Sequence, residues 1–130
     1  MLHPNQFQVN EAWIVFKLND APVQTEADGD FNVIALMDAA SCYILGSEFF
    51  PVRSKEPSEL AARRLLRSGE SEAPHLPKKL LISTAQVADL LSTVASRLGV
   101  RVQRVEEDQL SVFIGEARAG FKERFGGSVQ

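Results

Sequence analysis

The order of the apolar patterns constrains the fold of this chain more than any other feature. Three strand-like runs come first, at residues 13–18, 31–37 and 43–50. Short segments with turn residues separate them, and this close spacing favours an antiparallel meander. The patterns that follow predict a helix, a strand, a helix, a strand and a helix. The sequence therefore predicts an α/β protein, with a meander followed by an α-β-α-β-α series.

The first predicted helix lies between a proline and a glycine. Pro57 suits the first turn of a helix, where the missing N–H is not needed. Leu60, Ala61 and Leu65 are predicted to form the buried stripe, and Gly69 is predicted to end the helix.

The second predicted helix follows the short apolar run at residues 79–82, which is typical of a strand covered on both faces. Ser83 is predicted to cap this helix, with Gln86 completing a capping box. Gly99 is a natural left-handed terminator. The predicted apolar stripe consists of Val87, Leu90, Leu91, Val94 and Leu98.

Residues 100–105 read Val-Arg-Val-Gln-Arg-Val, a largely alternating pattern that predicts an edge strand with its valines toward the core. Asp108 is predicted to begin the last helix. Gly115 and Gly120 each lower the helix propensity there by roughly 1 kcal/mol relative to alanine, so packing must stabilise it. Its predicted apolar face consists of Leu110, Ile114, Ala117, Phe121 and Phe125.

The length of 130 residues suits one domain that buries a substantial core. Hydrophobic residues make up 45% of the chain and charged residues 24%, which is typical of a folded domain and not of a disordered chain. We expect an N-terminal arm at residues 1–10 and a single α/β domain at residues 11–126.

Charge and cysteine content restrict the possible partners. The net charge of −3 gives no overall attraction to polyanions, so nucleic-acid binding would need a local basic surface. Cys42 is the only cysteine, which excludes a disulfide within the chain and a cysteine-based metal cluster. The first residues lack the apolar stretch of a secretory signal, and no run approaches the ~20 residues of a membrane span. We expect a soluble cytoplasmic protein without a membrane partner.

The element order resembles that of the ribonuclease H-like fold, which includes the catalytic cores of integrases and transposases. Residues 33–46 look like the integrase-core pattern of an apolar strand, an Asp, a Ser-containing turn and a second apolar strand. Residues 98–100, Leu-Gly-Val, resemble the Leu-Gly-Ile step before the fifth strand of those cores. The resemblance implies a mixed five-stranded sheet with helices packed on it.

The resemblance also implies where catalytic carboxylates would lie, because that chemistry needs three or more of them to hold two divalent ions. Asp20 is the nearest match on the first strand and Glu116 the best match on the last helix, and the hairpin residue Asp38 could reach the same cleft. After the fourth strand, where the family has an Asp, this chain reads Ile-Ser-Thr-Ala at residues 82–85. A hydroxyl group in place of a carboxylate weakens the binding of Mg²⁺.

All three acids also suit structural roles, since Asp is common in turns and Glu on solvated helix faces. We therefore expect a catalytically degenerate member: a non-catalytic interaction or regulatory module without a cofactor, whose partner is a protein. Apolar residues near the C-terminus favour either self-association or another partner protein. They are Phe113, Phe121, Phe125 and Val129.

Two alternatives remain open at this point. The first is a Mg²⁺-dependent nucleic-acid-processing enzyme of the nuclease or transposase type, with a displaced second carboxylate such as Asp89. The second is a nucleic-acid-binding domain without cleavage, in which Arg63, Arg64 and Arg67 of the first helix contact phosphates.

Overall fold

The computed structural model describes residues 1–26 and 29–126 of the chain. The predicted order of elements is confirmed. The strands and helices are β1 (Ala12–Lys17), β2 (Phe31–Asp38), β3 (Ile44–Pro51), α1 (Glu59–Glu72), β4 (Lys79–Ser83), α2 (Asp89–Arg97), β5 (Arg101–Val105) and α3 (Ser111–Phe121). A 3₁₀ turn, Glu107–Leu110, leads into α3, and a π-helical turn, Lys122–Gly126, follows it.

The five strands form one mixed sheet in the order β3-β2-β1-β4-β5. β2 runs antiparallel to both β1 and β3, whereas β4 runs parallel to β1 and to β5. Trp13 at the start of β1 lies opposite Asp38 on one side and Leu80 on the other. The predicted mixed five-stranded sheet is confirmed, as is the edge position of β5.

Helices α1 and α2 cover one face of the sheet. Trp13 and Val15 of β1 pack there with Leu65 of α1 and Leu91 of α2, and all four side chains are buried. Leu60, which was predicted to join this stripe, instead lies 60% exposed on the outer side of α1. The stripe predicted for α2 is correct at Leu91 and Val94, but Val87, Leu90 and Leu98 are 42%, 42% and 48% exposed.

Helix α3 covers the opposite face. Ile14 and Phe16 of β1 pack against Phe113 and Ile114 in a second buried cluster. Phe7, from the N-terminal segment, meets the Phe113 ring edge-on at a centroid distance of 6.2 Å. Alternate residues of β1 thus enter two different cores, which explains why the strand is apolar along nearly its whole length.

The aromatic residues near the C-terminus do not all share one environment. Phe113 is buried and Phe121 is partly exposed. The side chain of Phe125 and all of Val129 lie outside the described residues. Across the described ranges, none of the helices has the combined length and apolar character that crossing a membrane would need.

The helix starts differ from those predicted, and at α2 a side chain from another segment supplies a cap contact. Pro57 precedes the N-cap of α1, which is Ser58, whose Oγ accepts a hydrogen bond from the backbone N–H of Ala61 at 3.1 Å. Ser83 does not cap α2, since it ends β4 and α2 begins only at Asp89. A carboxylate oxygen of Glu56 instead accepts the N–H of Leu90 at 2.7 Å.

The predicted residue before β5 is confirmed, whereas the predicted start of α3 is not. Gly99 has φ +81°, which confirms it as the left-handed residue that follows α2. Asp108, predicted to begin the last helix, lies in the 3₁₀ turn, and α3 begins at Ser111.

The predicted end of α1 at Gly69 is wrong, because α1 continues to Glu72 and Gly69 is buried within it. A Cβ at this position would lie 2.7 Å from the Leu36 Cδ2 atom and 2.7 Å from the Trp13 Cζ3 atom. The Trp13 ring is held by a 2.8 Å hydrogen bond from its Nε1 to the Asn10 Oδ1 atom. Gly69 therefore allows α1 to approach the centre of the sheet.

This close approach predicts opposite effects for the same substitution in two helices. Gly69→Ala should lower the free energy of unfolding by about 1–3 kcal/mol, because the added methyl group overpacks a fixed ring. Gly115→Ala in α3 has open space around the new Cβ and should raise it by about 0.5–1 kcal/mol through helix propensity. Urea denaturation measures both, and equal effects would contradict the packing argument.

Candidate functional site

The candidate site is a cleft of about 360 Å³ at the carboxyl ends of β1 and β4. These two strands are parallel neighbours, so their carboxyl ends lie at the same edge of the sheet. In open α/β sheets, ligands commonly bind in crevices of this kind. The cleft is lined by Lys17, Asp20, Asn32, Phe50, Lys55, Ser83, Ala85, Gln86, Val87, Glu107 and Arg118.

Arg118 is the most firmly held of the three cations in the cleft. Its Nε donates to the backbone oxygen of Lys17 at 2.9 Å, and its Nη2 donates to a carboxylate oxygen of Glu107 at 3.1 Å. The Arg118 side chain is only 20% exposed. Because a guanidinium group has five N–H donors, two such bonds leave further donors available. Helix α3 thus fixes a cation beside the end of β1.

The other two cations are Lys17, the last residue of β1, and Lys55, in the loop between β3 and α1. Neither forms an ion pair with any residue in the described ranges 1–26 and 29–126. Their ammonium groups therefore contribute positive charge that no described carboxylate neutralises at contact distance.

Polar contacts fix the walls around these cations. Asn19 is buried, and its Oδ1 accepts the N–H of Val33 at 2.7 Å while its Nδ2 donates to the Asn32 Oδ1 at 3.0 Å. On the β4 side, the Arg104 Nη2 donates to the backbone oxygen of Ser83 at 2.9 Å. The Ser83 hydroxyl oxygen accepts the N–H of Ala85 at 3.0 Å. The cleft is bounded by backbone that these bonds hold in place.

The carboxylates of the cleft do not form a ligand set suited to Mg²⁺. Asp20 is exposed, and Glu107 is paired with Arg118. No group of three or more His, Cys, Asp or Glu side chains suitable for a metal occurs within the described part of the chain. A pair of divalent ions needs several anionic oxygen ligands, so the residues present do not fit such a metal centre.

Asp38, another of the predicted site residues, lies in a hydrogen-bonded turn at the end of β2. Its Oδ1 accepts the backbone N–H of Asn10 at 2.7 Å, and its Oδ2 accepts the N–H and the hydroxyl of Ser41 at 2.9 and 2.8 Å. Asp38 is 4% exposed. Its carboxylate therefore joins the N-terminal segment to the β2–β3 hairpin.

The three predicted acids do not all converge, because Asp20 lies apart from Asp38 and Glu116. Asp38 lies opposite Trp13 at the start of β1, whereas Asp20 lines the cleft beyond the other end of that strand. β1 has six residues, so at ~3.3 Å per residue its ends are ~17 Å apart. Glu116 is exposed on α3 and lies near Cys42, which neighbours Asp38.

Cys42 shows that Asp38 and Glu116 share one neighbourhood. Burial raises the pKa of the Cys42 thiol above its ordinary value, and the negative charges of Glu116 and Asp38 raise this pKa further. The thiol of Cys42 thus stays protonated to a higher pH than a free thiol does. This pattern favours a partly buried apolar side chain, not an activated nucleophile.

The three arginines proposed to contact nucleic acid lie exposed on α1. Arg63 forms an ion pair with Glu59 at 3.6 Å, and Arg64 forms one with Glu48 at 3.0 Å. Arg67 forms no ion pair with the described residues. Two of the three positive charges are therefore adjacent to a carboxylate.

Sequence reasoning did not identify Lys17, Lys55 or Arg118 as site residues. Lys17 and Arg118 are 101 positions apart in the chain, and neither belongs to a recognisable motif. The available signal was indirect: Lys17 ends the most apolar strand, at the edge where β4 also ends.

The turn around Asp38 predicts a loss of stability on substitution. Asp38→Ala removes three acceptor contacts and leaves the buried N–H of Asn10 without its partner, so the free energy of unfolding should fall by about 2–4 kcal/mol. Glu116→Ala, at an exposed position, should change it by less than about 0.5 kcal/mol. Chemical denaturation compares the two variants, and a neutral Asp38→Ala would contradict the structural role.

The proximity of Glu116 to Cys42 predicts that the Glu116 carboxylate affects the pKa of the Cys42 thiol. Removing that carboxylate with Glu116→Gln makes the thiolate of Cys42 less unfavourable, so the pKa of Cys42 should fall. The pH profile of iodoacetamide alkylation should then move to lower pH. Glu123→Gln is the matched control and should leave the profile in place, whereas an unchanged profile for Glu116→Gln would contradict the proximity.

Comparison with solved structures identifies the fold. The catalytic core domain of BIV integrase matches with a TM-score of 0.57 and 12% identity, over 88% of this chain and 68% of that chain. A chain of the simian T-cell lymphotropic virus intasome, solved in complex with PP2A regulatory subunit B56 gamma, matches with a TM-score of 0.52 and 12% identity, over 91% of this chain and 37% of that one. At this identity the likeness concerns the fold alone. The predicted resemblance is confirmed at that level, and the chain has the ribonuclease H-like fold of retroviral integrase cores.

Comparison of sequences assigns the family. No curated protein is detectably similar to this chain in sequence. Residues 4–121 match the family described as Domain of unknown function (DUF6930). Since this match covers most of the 130 residues, the chain belongs to the DUF6930 family.

Proposed function

We propose that this domain is a non-catalytic interaction or regulatory module on a ribonuclease H-like scaffold. The observation that carries the proposal is the charge of the cleft at the ends of β1 and β4. Three cations line it, and one of its two carboxylates is already paired with Arg118. A two-metal phosphodiester enzyme needs the reverse balance, with anionic oxygens around divalent cations.

The position of Arg118 strengthens this proposal. A divalent ion bound to Glu107 would lie close to the Arg118 guanidinium, whose Nη2 is 3.1 Å from the same carboxylate. Like charges about 4 Å apart repel by about 4 kcal/mol per unit pair at an effective dielectric constant near 20. Metal binding at Glu107 would therefore favour displacement of Arg118 from its partly buried position.

The kind of partner follows from the charge of the exposed surface. The chain carries a net charge of −3, and two of the three arginines on α1 are in ion pairs with glutamates. These features disfavour a polyanion, whose binding depends on unneutralised Lys and Arg side chains. We propose a protein as the macromolecular partner.

Calorimetric titration with Mg²⁺ and Mn²⁺ tests the proposal. We expect no stoichiometric metal binding, and the variants Asp20→Asn and Glu107→Gln should give the same result as the original chain. Glu70→Gln is the matched control, because it removes one exposed carboxylate of α1 away from the cleft.

The enzyme alternative makes the opposite prediction for the same titration. The non-catalytic proposal would be overturned if one or two ions bind with defined stoichiometry. This binding would have to be lost in Asp20→Asn and retained in Glu70→Gln. Metal-dependent cleavage of single-stranded or duplex DNA that Asp20→Asn abolishes would do the same.

A further inference from the structure

We propose that the cleft binds a small molecule directly through a phosphate or carboxylate group, with Lys17, Lys55 and Arg118 as its contacts. This inference rests on the proposed function, because it assigns to the same cleft a ligand that needs no metal. The ligand would regulate the module, whose macromolecular partner remains a protein.

The first step concerns preorganisation of the cations. Arg118 is fixed through Lys17 and Glu107, and Lys17 belongs to the central sheet. A cation that is already held in place loses little conformational freedom when it binds an anion. Arginine also presents paired N–H donors that match the geometry of a phosphate or a carboxylate.

The second step concerns Lys55, whose loop is fastened at both ends. The N–H of Val52 donates to the backbone oxygen of Asp30 at 3.0 Å. The N–H of Ser54 donates to the backbone oxygen of Pro51 at 2.9 Å. Glu56, the residue after Lys55, bonds the N–H of Leu90 at the start of α2. The loop is thus held beside the cleft that Lys55 lines.

The third step concerns the size and net charge of the ligand. A volume of about 360 Å³ lies at the lower end of the ~300–1,000 Å³ range of small-molecule sites. Three cations and two carboxylates leave the lining with a net charge of +1. This balance suits one anionic group on a small molecule better than a nucleic acid, which carries one charge per ~1.7 Å of duplex.

The experiment is calorimetric titration of the full chain with inorganic phosphate and, in a separate arm, with succinate, both in buffer freed of divalent metals on a chelating resin and held at one constant ionic strength. We expect saturable one-to-one binding in at least one arm, and the tighter arm identifies the recognised group. The double variant Lys17→Gln/Lys55→Gln should weaken binding by at least roughly tenfold, because it removes two charge-assisted contacts.

A matched control separates the cleft from the overall charge of the chain. Lys78→Gln/Lys122→Gln also removes two exposed lysines, neither of which lines the cleft, and should weaken binding by less than about twofold. Asp20→Asn should tighten binding by about twofold or more, because it removes a negative charge from the lining. A metal site would respond to that variant in the opposite direction.

The outcomes distinguish the two proposals. If neither phosphate nor succinate binds at concentrations up to 50 mM, or if both double variants weaken binding equally, the anion site is overturned while the non-catalytic proposal stands. If phosphate binds only when Mg²⁺ is added to the metal-free buffer, both proposals are overturned, since a metal would then hold the anion.

Discussion

The structure depends on the burial of β1 between β2 and β4. Alternate side chains of this strand enter the two cores on opposite faces of the sheet, and its first five residues are fully buried. Parallel pairing with β4 places the carboxyl ends of both strands side by side. This pairing creates the cleft at that edge. It also explains why a cation lines the cleft, because Lys17 is the first residue of β1 to reach solvent.

The fold and the chemistry of its best-known members separate in this chain. The scaffold of retroviral integrase cores is present, as the structural matches show. The acids that the sequence offered for metal binding lie at different places, with Asp20 at one end of β1 and Asp38 at the other. Since function resides in sites and not in folds, the cations at the cleft are a better guide to the activity of this domain than its topology.

The strands could be predicted from the sequence because each has a local apolar pattern that burial in the sheet requires. The helix boundaries were less predictable, since Glu56 caps α2 from another element and Gly69 serves packing against Trp13 rather than termination. The cleft could not be predicted from local patterns. Lys17, Lys55 and Arg118 come from three separate segments, and only the parallel pairing of β1 with β4 and the crossing of α3 bring them together.

The central proposal is that this cleft presents cations in place of the oxygen ligands that a metal pair would need. The most direct measurement is an anomalous diffraction experiment on crystals soaked in Mn²⁺, which locates bound ions without reference to activity. The account predicts no anomalous peak between Asp20 and Glu107, and an Arg118 guanidinium that still bonds Glu107. A Mn²⁺ peak ligated by those two carboxylates, with Arg118 displaced, would contradict it.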